Sequence, residues 1–312
     1  MKKTIKNLMT ILISILMMVT FVACSKDNTD KVEGNGNAQA QTGYPYKFTD
    51  SMGNEVVIES EPKRIISVAP SITEIVYALG KEGNLVGRTD YCDYPEEAKN
   101  VESIGSLTNP DVEKIVELKP DVVIASTHFK EDVGQKLKDL GINIVVINDS
   151  ENINGAYESI NKLGEILNAK DKAEEVVKAN KEKIEEIKEK TEKEEIPTAY
   201  YVVGFGKNGD FTATGDTFIA EMIEVAGGNN IAKDATGWGY NLESLIENDP
   251  EYIIISNGMK DEFMATEGYK ELSAVKNNNV FEIDKNLLNR QGPRISEGVE
   301  ALAKILHPNL FK

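Results

Sequence analysis

Much of the usual catalytic equipment is scarce in this chain of 312 residues. Two cysteines occur, Cys24 and Cys92, so neither a disulfide framework nor a multi-cysteine metal cluster can be built. The two histidines, His128 and His307, are poorly placed for the base and nucleophile set of a Gly-x-Ser-x-Gly hydrolase. Positive charge is also short, with 35 Lys and Arg against 52 Asp and Glu and a formal charge of −17. Sequence-independent binding to phosphate backbones needs clustered Lys and Arg, so nucleic acid is excluded as a partner. Aromatic residues make up 7% of the chain, and Trp238 is the sole tryptophan. Against these shortages, 40% of the residues are hydrophobic, enough for a core in each of the roughly two domains that this length allows.

The first 23 residues differ from the rest. Lys2, Lys3 and Lys6 precede Leu8 to Ala23, sixteen residues without a charge. A basic stretch before an apolar one is a signal-peptide pattern, and the run falls short of the roughly 20 residues that span a bilayer. It closes with Phe21-Val22-Ala23-Cys24. This resembles the lipobox of bacterial lipoproteins, in which the cysteine sulfur receives a diacylglyceryl group and the peptide is cut before it. An ordinary signal peptide or anchor with an incidental cysteine is the competing reading. Cleavage before Cys24 removes three lysines and no acid, which takes −17 to −20. Two acyl chains give the two-signal anchoring that one chain cannot. The expected location is therefore the outer face of the cytoplasmic membrane, held by a lipid. Residues 24–43 are polar and rich in Asn, Gly and Gln, which reads as a flexible tether.

Beyond the tether, apolar runs alternate with helical patterns. Residues 64–68 read as a strand, 72–79 as a helix closed by Gly80, 111–118 as a helix, 121–125 as a buried strand, 135–140 as a helix and 142–147 as a strand. Strands separated by single helices imply right-handed crossovers and a mostly parallel sheet. The order returns later: strand 198–203, helix 216–226, helix 242–247 and strand 252–256. Residues 112–121 align with 242–251 at a constant offset of 130, and both copies run into an apolar strand. Between the copies, 18 of the 26 residues from Lys170 to Glu195 are charged, and the apolar positions mostly keep helical spacing. That is a solvated rod of roughly 39 Å lying across its own protein; a coiled-coil partner is the alternative. The expected division is a signal peptide (1–23), a tether (24–43), an N-terminal lobe (44–150), a connecting helical segment (151–196) and a C-terminal lobe (197–312). The fold class is α/β: two similar lobes with mostly parallel sheets, joined by one long connecting helix, with a ligand cleft between them.

Four stretches carry a family likeness: Pro62 to Ser67 with Pro70-Ser71-Ile72-Thr73-Glu74, then Tyr91-Cys92-Asp93-Tyr94-Pro95, then Lys119 to Val123, and Gly292-Pro293-Arg294. In this order they resemble the class III substrate-binding proteins of ABC importers, which capture cobalamin, ferric siderophores or haem. The likeness covers about residues 44 to 310. It implies a ligand held between the lobes, a connecting helix that limits closure, no covalent chemistry and no resident cofactor or metal. It also implies a monomer that works with a permease and its ATPase. In cobalamin-binding relatives a surface glutamate on each lobe pairs with permease arginines, and the matching positions here are Glu74 and Glu221. Each could instead serve as a cap or dipole partner at its helix start.

A cleft at the carboxyl ends of the strands is where open α/β sheets bind ligands. Loops there carry Tyr91, Tyr94, Phe129, Phe205, Trp238 and Tyr240, whose rigid faces suit a flat macrocycle. Two of the four arginines, Arg290 and Arg294, lie close together and suit planar capture of oxygen groups. Two roles are open to Arg294, ligand contact and tying its loop to the lobe. A haem would look for an axial donor among Tyr91, Tyr94, His128 and Met259, whereas His307 reads as structural and Cys92 as a small buried hydrophobe. The run from Gly204 to Gly209 matches a dinucleotide fingerprint, but residues 210–215 do not open a helix. These readings converge on a lipid-anchored binding protein for a corrinoid such as cobalamin. A ferric siderophore or haem remains open in the same role, and a surface scaffold or adhesion lipoprotein is the reading from a different class.

Overall fold

The computed structural model describes residues 43–126, 129–147 and 150–311. The expected signal peptide, Cys24, nearly all of the tether, and His128 lie outside them. An antiparallel hairpin of β1 (Tyr46–Thr49) and β2 (Glu55–Ile58) leads into β3 (Ile65–Ser67), α1 (Pro70–Ala78) and β4 (Leu85–Arg88). Next come α2 (Val112–Glu117), β5 (Val122–Ala125), α3 (Glu131–Asp139) and β6 (Ile144–Val146). Strands β4-β3-β5-β6 form a sheet that is parallel throughout. Two helices come after it, α4 (Ile153–Ile166) and α5 (Lys170–Thr191). The second half contains β7 (Thr198–Gly204), β8 (Phe211–Thr212), α6 (Phe218–Val225), β9 (Asn229–Asn230), α7 (Leu242–Asn248) and β10 (Tyr252–Ser256). It ends with α8 (Lys260–Ala265), α9 (Ser273–Lys276), β11 (Val280–Ile283), α10 (Lys285–Asn289) and α11 (Ile295–Leu306).

The parallel order β9-β7-β10-β11 repeats that of the first sheet, and β8 adds an antiparallel neighbour to β7. The repeat extends to local chemistry. Asp111 caps α2 by accepting from the Lys114 N–H (3.1 Å), and Asn241 caps α7 by accepting from that of Ser244 (2.8 Å). Both satisfy amides that a helix start leaves without intrahelical partners. The acid after each proline then ties its strand to the central one. Asp121 accepts from the backbone N–H groups of Lys63 (2.7 Å) and Arg64 (2.9 Å), and Glu251 from that of Thr198 (2.7 Å).

Strands β3, β5 and β6 and the middles of β7 and β10 are buried on both faces, as continuous apolar runs in covered parallel sheets must be. Alternation then distributes their side chains. Ile65, Tyr201 and Ile254 enter one shared core with α1, α4, α5, α6 and α11, whereas Ile66, Tyr200 and Ile253 point into two separate outer cores. The shared core crosses from one half to the other. Helix α5 is shorter than its charge run suggests, at 22 residues or about 33 Å. It lies on its own protein as its apolar stripe implies: Ala173, Val177, Ile184 and Ile187 are buried, and α5 packs against both α4 and α11. The connection is thus two helices rather than one. Among the described residues, no helix is long and apolar enough to cross a membrane.

Candidate ligand cleft

Turns at the carboxyl ends of the strands face each other across two adjoining cavities. One, of about 280 Å³, is lined by Ala69, Pro70, Ser71, Tyr91, Leu107 and Ser126 from the first half and by Asn286, Asn289 and Arg290 from the second. The other, of about 440 Å³, is lined by Val203, Phe218, Ile219, Trp238 and Gln291, with Glu151 and Ser159 from the connection. Ser71, Ser126 and Asn289 border both, so the cavities are chambers of one cleft.

Trp238 reaches the larger chamber from an unusual backbone. Gly237 (φ 76°) and Trp238 (φ 68°) are both left-handed, a conformation that costs a side-chain-bearing residue on the order of 1 kcal/mol. Hydrogen bonds hold it there. The Gly237 N–H donates to the Asp216 carboxylate (3.0 Å) and the Trp238 N–H to Thr214 Oγ1 (3.0 Å). The Thr214 hydroxyl and the Gly237 amide keep the Asp216 carboxyl below its ordinary pKa.

On the opposite side, the turn between α10 and α11 meets the first half. Glu74 Oε1 accepts from Arg290 Nη1 (2.8 Å) and Arg294 Nη2 (2.7 Å), and its Oε2 accepts from Arg294 Nε (2.8 Å). Arg290 Nη2 also donates to Asp93 Oδ1 (2.6 Å), and the Arg294 guanidinium lies 3.8 Å above the Tyr94 ring. Burial alone would make these guanidiniums easier to deprotonate; their ion pairs outweigh it and raise both pKa values. The same turn is bolted to the connection. Gln291 Nε2 donates to the carbonyls of Ser150 and Asn152 (2.6 Å each), and Asn180 of α5 donates to the Pro293 carbonyl (2.9 Å). Gly155 makes room for this contact, since a Cβ there would sit 2.1 Å from the Ser150 carbonyl oxygen and 2.7 Å from Gln291 Nε2.

Comparison with known proteins places this geometry. The profile of a family described as periplasmic binding protein matches residues 65–287. The chain belongs to the periplasmic binding protein family. This binding protein is 35% identical over 308 residues to the uncharacterized ABC transporter substrate-binding lipoprotein YvrC of Bacillus subtilis (strain 168), covering 96% of this chain and 97% of that one. It is 25% identical over 289 residues to a cobalamin-binding protein of Halobacterium salinarum (strain ATCC 29341 / DSM 671 / R1), covering 88% and 77% of the two chains. Among solved structures, a possible iron-binding (periplasmic solute-binding) protein of Staphylococcus epidermidis ATCC 12228 superposes with a TM-score of 0.71 at 29% identity, over 80% of this chain and all of that one. The protein is a substrate-binding protein of an ABC transporter, and proteins of this kind work with a permease and an ATPase. Its relatives are transport proteins, not enzymes.

The cleft gathers only part of the expected set. In this binding protein Tyr91, Trp238 and Arg290 line the chambers. Phe129 packs against the outer core of the first half instead. Phe205 makes edge contacts with Phe263 and Tyr269, and Tyr240 leans on Tyr200 in the outer core of the second half. Their loops start at the cleft, but the rings turn back to cover strand ends. Arg294 ties its turn to Glu74 and Tyr94, the second of its two open roles. Glu74 itself corrects an expectation: it is no surface residue, with 2% of its side chain exposed beneath the two arginines, and it cannot meet a partner's arginine. Glu221 is half-buried and accepts from the Ile153 N–H at the start of α4 (2.6 Å), whereas Thr217 caps α6, so Glu221 serves a neighbouring helix start and not its own. Of the haem-donor candidates, Met259 packs against the outer core of the second half. Among the described residues, no cluster of three or more His, Cys, Asp or Glu could hold a metal. Sequence reasoning missed Ser71, Ser126, Asn286, Phe218 and Ile219. Ser71 and Ser126 had a usable signal, since each follows a parallel strand at the turn where ligands bind.

Proposed function

We propose that this protein captures a corrinoid such as cobalamin in its cleft and delivers it to an ABC permease. The observation that carries the reading is the pair of aromatic side chains, Tyr91 from one half and Trp238 from the other, along chambers that share Ser71, Ser126 and Asn289. Flat faces on two sides suit a macrocycle. The relative named as a cobalamin-binding protein supports the same ligand. A ferric siderophore is the second reading, favoured by the likeness to the possible iron-binding protein. Haem is the weaker fit, because Tyr91 alone of its candidate axial donors lines a chamber among the described residues. Calorimetric titration with cyanocobalamin, ferric siderophores and haemin tests the order: cyanocobalamin should bind with one-to-one stoichiometry and the tightest affinity, and preference for another ligand overturns it.

A lipid on Cys24 completes the proposal, holding a monomer at the outer face of the membrane. The leader pattern and the word lipoprotein in the name of YvrC support it, and Cys24→Ala should release the protein from the membrane fraction. Docking on the permease is assigned to Glu113 and Glu243. They open helices related by the offset of 130, both are exposed, and each is followed three residues on by an exposed apolar side chain, Val116 or Ile246. Glu113→Lys with Glu243→Lys should cut ligand uptake at least about tenfold without weakening ligand binding; full uptake removes the assignment.

A further inference from the structure

The arginines at the cleft are already paired. Arg290 and Arg294 share Glu74, and Arg290 also holds Asp93, so two positive charges meet two negative ones within 2.6–2.8 Å. Arg290 is the one cation lining either chamber among the described residues, and 9% of its side chain is exposed. The other charged lining residue is acidic, Glu151. The remaining serine and amide lining carries no charge: Ser71, Ser126, Ser159, Asn286, Asn289 and Gln291.

Among the described lining residues, an anionic ligand meets no positive charge that is not already paired. To gain a guanidinium it must break a buried ion pair and leave a carboxylate stranded. Arg is the side chain best fitted to hold a carboxylate, so its withdrawal works against that ligand class, as specificity through exclusion does. We infer that Glu74 is a specificity-determining residue: by pairing with both arginines, which it neutralises together with Asp93, it restricts the cleft to ligands with an uncharged, amide- or hydroxyl-bearing rim and excludes carboxylate-rimmed macrocycles and ferric carboxylate chelates. This rests on the cleft being the ligand site proposed above, and adds the charge of the ligand it accepts.

Two charge-contrasted pairs of probes test it on the full chain: cyanocobalamin against its derivative with one side-chain amide hydrolysed to a carboxylate, and a ferric trihydroxamate against ferric citrate. Calorimetry should show the uncharged member preferred at least about tenfold in whichever pair binds. Glu74→Gln keeps the shape but frees positive charge, and should erase or reverse that preference. Adding Arg294→Gln to it should restore the preference. Asp93→Asn alters the exposed partner, so it tests the idea even if Glu74→Gln fails to fold, and should shrink the preference in the same direction. Equal affinities within a pair for the unaltered protein, or an unchanged preference in the folded variants, overturn the inference. Trihydroxamate binding without corrinoid binding would sink the corrinoid reading and leave the charge rule standing. Equal binding of cyanocobalamin and its carboxylate would do the reverse.

Discussion

In the first half, Asp121 closes onto the backbone just ahead of β3; in the second, Glu251 closes onto the first residue of β7. Glu74 and Glu221 stand at matching places on α1 and α6, yet their partners differ. One is sealed beneath two arginines from the other half, and the other accepts from the first amide of α4. The contrast separates two kinds of repeated residue. Those that keep the same partner in both copies hold each sheet together, whereas those whose partners diverged sit where the halves meet and where the cleft opens. A shared core that runs through α1, α4, α5, α6 and α11 joins the halves more firmly than a flexible linker would.

The contrast breaks most directly at the diverged pair. Glu74→Ala takes the shared carboxylate from Arg294 and leaves Arg290 with Asp93 alone, and should cost about 3–5 kcal/mol in urea unfolding. Glu221→Ala removes one helix-start acceptor and should cost about 1 kcal/mol. Equal losses would erase the asymmetry. A similar split holds among the aromatics. Phe205→Ala should lower stability by about 3 kcal/mol through lost core packing and leave ligand affinity within about twofold. Trp238→Ala should weaken binding at least about tenfold with a smaller loss of stability, and calorimetry with thermal unfolding reads both. The retained pair should behave alike: Asp121→Ala and Glu251→Ala should each cost about 1 kcal/mol, and a clear inequality would argue against equivalent roles.

The smallest effect is a pH response at the Trp238 loop. The pKa of Asp216 is lower in the folded state than in the unfolded one. Its stabilisation is therefore complete above the ordinary carboxylate range and is lost as pH falls through the depressed folded value. Trp238 emission should stay constant from pH 7 to about 5 and change only in stronger acid, and Asp216→Asn should abolish that change.

The lobes are legible in the sequence because strands buried on both faces leave long apolar runs, and because Pro120 and Pro250 punctuate both copies at the same spacing. Helix α4 is harder to see: its apolar residues are interspersed with Gly155, Gly164 and several polar residues, and the charged run of α5 dominates the same segment. At the site, loop position predicts which residues start near the cleft but not which way their rings turn. Phe129, Phe205 and Tyr240 have the composition of ligand contacts, and packing against strand ends claims them. The Glu74 pairs join residues more than 200 positions apart, a juxtaposition that no local pattern encodes.

The most direct measurement uses Trp238, because it is the sole tryptophan and lines the larger chamber. Tryptophan emission of the full chain is titrated with cyanocobalamin and corrected for the absorbance of the ligand. A corrinoid seated against Trp238 predicts saturable quenching complete at one equivalent and retained in Phe205→Ala. Emission unchanged by cyanocobalamin, at concentrations where a ferric chelate quenches it, would contradict that placement.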